Sequence, residues 1–224
     1  MANPMDTFIH DNLFGGDFDI LTKKTTVLVG EPPDLKRGAL MGIVKTGEVT
    51  ESHVGNTGNG VMGAITKGVL AEVGDYLLTF VRIQADGGDF LVKDPAGNLV
   101  GMGQVGAAFV SDHVNFTLAD GPADFIASDR FLLTVAQGGG QSRRLDVTAV
   151  DGSAFPDHIQ SEDRDASLAS QASVGYTTGV FNERAITLDA PATLDSRLGG
   201  KSIREHCRDI GLHFVKSFNV GGVA

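Results

Sequence analysis

Gly199-Gly200-Lys201-Ser202 has the residues that close a phosphate-binding loop, where backbone N–H groups and a lysine cradle an anion. Such a loop needs glycine five positions before Gly200. Asp195 stands there, and an acid would repel phosphate. The four residues read better as a helix start with Ser202 as its N-cap. His206, Cys207 and His213 could offer nitrogen and sulfur to a metal. His206 and Cys207 are adjacent, so on a helix they diverge, and His213 falls on the next predicted strand. The acid-bearing turns "DGGD", "DPAGN", "ADGPAD" and "SEDRD" could supply oxygens to Ca²⁺. None matches the D-x-[DN]-x-[DN]-G loop, and ordinary β-turns account for each. "GNTGNG", Gly55 to Gly60, is dense in glycine but lacks the dinucleotide-binding order, and reads as a linker. No G-x-S-x-G, S-x-x-K or H-E-x-x-H occurs. The sequence therefore predicts no catalytic, cofactor-binding or metal-binding residues and no enzyme. A hydrolase would have to assemble an unrecognised carboxylate pair in space.

The elements that would position any chemistry are short strands and turns. Gly74 to Gln137 holds five strand candidates: "DYLLTFVRI", "DFLVKD", "NLVGMGQV", "HVNFTLAD" and "DRFLLTVAQ". Val114, Phe116 and Leu118 alternate with Asn115 and Thr117, a period of two that buries one face. Asp94-Pro95-Ala96-Gly97 has the residues of a type I turn. Strands at this spacing indicate a small sandwich or barrel. Before them, "KKTTVLVG" and Ala39–Val44 read as strands, with Pro32 and Pro33 between. After them, "QGGGQSRR" reads as a charged hinge, followed by "LDVTAVDGSAFPDHI" and two strands beyond an acidic loop. "KSIREHCRDIG" is the one convincing helix. Ser202 and Glu205 form a capping box, Ile203, Cys207 and Ile210 share a face, and Gly211 stops it. "LHFVKSF" is a final strand.

Composition narrows the function classes. The 224 residues are 42% hydrophobic, with 30 glycines, no tryptophan and a net charge of −10. No basic run exists to displace counterions from nucleic acid, and acidity argues against an anionic lipid surface. No apolar stretch approaches the roughly 20 residues of a membrane helix. The first residues lack the features of a secretory signal, and one cysteine excludes an intrachain disulfide. Synthesis in a cytoplasm is expected. Residues 1–19 carry scattered large apolars without a period. They read either as an extended arm that a partner orders or as a terminus packed on its own domain.

Two separated segments resemble a family. "DNLFGGDFDILTKKTTVLVGEPPDLKRGALMGIV" is similar to the start of tailed-phage head decoration proteins of the lambda protein D type. Leu35, Lys36, Arg37, Gly38 and Gly42 match the family's L-K-R-G-x-x-x-G stretch. Gly179, Asn182, Ala185 and Ile186 match its G-x-x-N-x-x-A-[IL] strand, and Gly211 and Leu212 match the end of its terminal helix. The middle resembles a small β module found within several phage structural proteins. Asp94, Pro95, Gly97, Val105, Gly106, Asp120, Gly121, Asp124, Phe125, Asp129 and Phe131 match that module.

The resemblance implies a mainly β (α+β) chain with one C-terminal helix. It divides into an arm at 1–19, a discontinuous decoration domain at 20–60 and 138–224, and an inserted module at 61–137. It implies a homotrimer on the outside of the expanded phage head, bound to the major capsid protein, with no cofactor, direct nucleic-acid contact or membrane. Phe8, Ile9, Leu13, Phe14, Phe18, Lys36 and Arg37 are the expected capsid-binding residues. The alternative is a phage surface protein that binds a host or glycan.

Overall fold

The chain is mainly β. The computed structural model describes residues 12–16, 19–31 and 35–216. Its strands are β1 Leu21–Val27, β2 Leu40–Ile43, β3 Thr46–Ser52, β4 Thr66–Lys67, β5 Gly74–Gln84, β6 Gly87–Lys93, β7 Leu99–Gln104, β8 Ala108–Phe109, β9 Val114–Thr117, β10 Arg130–Gln137, β11 Ser142–Arg144, β12 Pro156–Gln160, β13 Gln171–Asn182, β14 Arg197–Leu198, β15 Lys201–Ser202 and β16 Leu212–Val215. One α-helix, α1 Ile203–Asp209, lies among the described residues. The chain divides into a discontinuous unit, residues 1–41 with 156–224, and an inserted unit, Gly42–Phe155.

In the discontinuous unit β13 is the hub. It pairs antiparallel with β1 and β12 and, at Gly179–Asn182, parallel with β16. The expected two strands after the acidic loop are this single long one. Val27, Leu35, Ala39, Met41 and Ala166 form one buried cluster. Gly199 and Gly200, both at positive φ, turn the β14–β15 hairpin, so the phosphate-loop residues make a tight turn instead. Ser202 then caps α1, and its hydroxyl accepts from the Glu205 N–H at 3.2 Å. Glu205 accepts from the Ser202 N–H at 2.7 Å, completing the box. Ile203 and Cys207 are buried. Ile210 is the C-cap and 40% exposed, which corrects the expected three-residue apolar face.

The inserted unit is a two-layer β structure. A five-stranded sheet ordered β3-β10-β5-β6-β7 accompanies a three-stranded sheet ordered β4-β9-β8. Alternation places Tyr76, Leu78, Phe80, Phe90, Val92, Phe131 and Leu133 in one core with Phe116 and Phe125. With no tryptophan, phenylalanines do the filling: Phe80 stacks on Phe125 at 4.4 Å and Phe90 on Phe116 at 5.8 Å. Lys67 on β4 ties to β3, donating to Gly47 O at 2.6 Å and Thr46 O at 3.0 Å.

The inserted unit begins earlier and ends later than the expected 61–137. β3 is the reason, since it pairs with β10 from Leu132↔Ser52 to Gln137↔Thr46. The glycine-rich stretch before Val61 is no linker. Asp129, 2% exposed, accepts from the Thr57, Gly58 and Ile126 N–H groups at 2.8–3.1 Å. Gly58 and Gly60 lie so close to Phe125 that a Cβ on either would collide with its ring. The expected hinge is also bonded in place, with Gly138 and Gly140 donating to Lys45 O and Val44 O.

Candidate attachment surface

Four of the seven expected site residues fall together on the discontinuous unit. The Asn182 N–H donates to Leu13 O at 2.8 Å, its side-chain amide donates to Asn12 O at 3.0 Å, and the Gly15 N–H donates to Val180 O at 2.9 Å. Phe14 forms an antiparallel bridge with Phe181, so residues 13–15 add a strand-like edge to β13. Leu13 is 2% exposed. Phe14 is half-buried, its ring 5.3 Å from Tyr176 and 5.6 Å from Phe181. The expectation of an arm ordered only by a partner is corrected for this part. Leu13 and Phe14 are held by their own domain because their burial and main-chain bonds offset the cost of ordering them. Phe8, Ile9 and Phe18 lie outside the described residues.

Lys36 and Arg37 reach the same place through Gly38. This residue has φ +91, and a Cβ there would lie 2.4 Å from the Ala185 carbonyl oxygen and 3.3 Å from Leu13. Glycine therefore lets the turn sit against both the N-terminal segment and the chain after β13. The Arg37 guanidinium lies 5.6 Å from the centre of the Phe14 ring, within cation–π range. The Arg37 N–H donates to Asp163 Oδ1 at 2.9 Å, and Lys36 Nζ to Asp163 Oδ2 at 3.1 Å. These bonds, the Arg37 N–H foremost, hold the Asp163 carboxyl below the usual carboxylate range. Both Lys36 and Asp163 side chains are 61% exposed. Exposed ion pairs of this kind are weak, so Lys36 can exchange Asp163 for another acid at small cost. The surface offers a half-buried aromatic ring, a guanidinium over it and an exchangeable ammonium.

Two features of the inserted unit escaped sequence reading. The carboxylates of Asp86, Asp120 and Asp124 come within 4.8 Å of one another. They belong to two turns that the sequence presents separately. The Asp86 N–H donates to Asp124 Oδ1 at 3.0 Å, and three carboxylates so placed could hold a divalent cation. A groove of about 400 Å³ is lined by Val69, Leu70, Val73, His113, Phe155 and Lys45 among others. At its side the Tyr76 hydroxyl accepts from the Glu72 N–H at 2.8 Å and lies 3.2 Å from His113 Nδ1. Burial, chiefly, raises the phenol above its usual range.

No protein-family model and no curated protein matches the chain. Among solved structures, two crystal forms of FlgL from Xanthomonas campestris align at a TM-score of 0.31 and 21% identity, over 46% and 48% of this chain. The match spans about a third of FlgL, 34% of its length, and a likeness this low carries no argument.

Proposed function

We propose that the chain is a capsid decoration protein, attached to the outside of an expanded phage head through the surface around Phe14, Lys36 and Arg37. The observation that carries this reading is the convergence just described. The N-terminal segment and the L-K-R-G turn lie apart in sequence, yet Arg37 stacks over Phe14 on one face. Both lie within the first of the two stretches that resemble decoration proteins. On a chain of net charge −10, two adjacent cations beside an aromatic ring suit an acidic and apolar partner surface.

The work of such a protein is mechanical. A ligand that binds only the expanded lattice stabilises that lattice by mass action, against the pressure of the packaged DNA. Copies joined in a homotrimer add avidity, so no single contact has to be strong. Nothing in this role requires a cofactor or a reaction.

The test is co-sedimentation of the purified full-length chain with expanded capsid shells that lack their decoration protein, followed by heating of the shells. Saturable binding and a higher temperature of shell disruption support the reading. Failure to pellet with the shells sinks it.

A further inference from the structure

The groove lined by Val69, Leu70 and Val73 follows the segment between β4 and β5. Its volume of about 400 Å³ lies within the roughly 300–1,000 Å³ of small-molecule sites. Phe155 adds to the apolar wall. Main-chain bonds fix that wall: the Gly68 N–H donates to His113 O and the Leu70 N–H to Asp112 O, both at 2.8 Å. Tyr76, fully buried, holds two of the polar lining residues. Its hydroxyl accepts from the Glu72 N–H at 2.8 Å and lies 3.2 Å from His113 Nδ1. Lys45 lines the groove as well. Its N–H donates to Asp151 O at 2.8 Å, and its carbonyl accepts from the Gly138 N–H at 2.7 Å. Gly152 stands at φ +90, and a Cβ there would lie 2.8 Å from Lys45 Cβ, so bare backbone makes room for the lysine stem.

We propose that this groove binds a small zwitterion with apolar side chains, of the size of a dipeptide with free ends. Charge complementarity selects the class. Lys45 and Glu72 bring an ammonium and a carboxylate to one groove. They form no ion pair with each other, and neither has an ion-pair partner among the described residues. A ligand carboxylate complements Lys45, and a ligand ammonium complements Glu72. A ligand of one sign alone would be repelled by one of the two. The apolar wall suits the side chains of such a ligand. Val73 is 45% exposed, so covering it removes apolar surface from water.

The groove is independent of the proposed attachment residues, since its lining belongs to the inserted unit and Lys36 and Arg37 to the other. Nuclear magnetic resonance titration of the full chain with the dipeptide Leu-Leu tests the assignment. Acetyl-Leu-Leu, which lacks the ammonium, and Leu-Leu amide, which lacks the carboxylate, are titrated beside it. The expected result is saturable shifts at Lys45, His113 and residues 69–73, with each capped peptide binding about three-fold more weakly. Lys45→Met should cost Leu-Leu the same factor and leave Leu-Leu amide bound no more weakly than before. Glu72→Gln should do the same for the other end, sparing acetyl-Leu-Leu. Val73→Asp, at an exposed position, should weaken Leu-Leu further. The amide spectra check that each variant stays folded. Shifts that are absent or lie elsewhere overturn the proposal, and so does an affinity indifferent to either charge.

Discussion

Asp157 shows how one side chain sets a pH dependence. His158, with its side chain fully buried, donates from Nδ1 to Asp157 Oδ2 at 2.7 Å, and Lys23 forms an ion pair with the same oxygen. Burial pushes the Asp157 carboxyl up. The His158 bond and Lys23 outweigh it and bring the pKa down to about 2. A carboxyl depressed on folding contributes stability above its unfolded value of about 3.9, and that contribution is lost as pH falls through the folded value. Lys23 is partly exposed, so screening trims the effect to about 1–2 kcal/mol. Asp157→Asn should therefore lower stability by that amount near pH 7, with the difference from wild type closing between about pH 4 and pH 2. Denaturant titrations across that range provide the check. Cys207 is the opposite case. Burial pushes its thiol up to about 12, so this core side chain stays protonated at neutral pH.

At the scale of elements, α1 depends on its cap. It has seven residues, too few to be stable alone, and the Ser202–Glu205 box satisfies donors at its start. Ser202→Ala should cost about 1 kcal/mol, measured by thermal or denaturant unfolding. The cap was legible in the sequence because its residues sit at fixed spacing. The strands β5, β6, β9 and β10 were legible because they alternate apolar and polar residues with one face buried. β3 was not assigned to the inserted unit. Thr-Gly-Glu-Val-Thr-Glu-Ser carries one large apolar residue, and only its pairing with β10 makes it a strand of that sheet. Gly58 and Gly60 read as a linker because glycine looks the same whether it gives freedom or close approach. Here both lie against Phe125. The Asp86, Asp120 and Asp124 cluster had no local signal either, since two distant turns form it. Leu13 and Phe14 lacked a period because they meet β13 as a single short edge, not as a longer element.

For the whole molecule, the register between β3 and β10 makes the part of the inserted unit between them removable. Thr46 and Gln137 are cross-strand partners, so the chain enters and leaves the sheet at neighbouring points. Replacing the residues between them with a short Gly/Ser loop costs little in closure entropy. The remaining chain should fold cooperatively by circular dichroism, and loss of its unfolding transition would contradict the division into two units. The central claim is that attachment runs through the surface at Phe14, Lys36 and Arg37. Deleting residues 1–19 would remove the buried Leu13, so charge reversal at exposed Lys36 is the cleaner probe. The most direct measurement is a binding titration on expanded capsid shells of the wild type against Lys36→Glu/Arg37→Glu, with the fold of both checked by thermal unfolding. The account predicts saturable wild-type binding that weakens at high salt, and at least about a ten-fold loss of affinity in the folded variant. Equal affinity in the two proteins, or no binding by either, would contradict it.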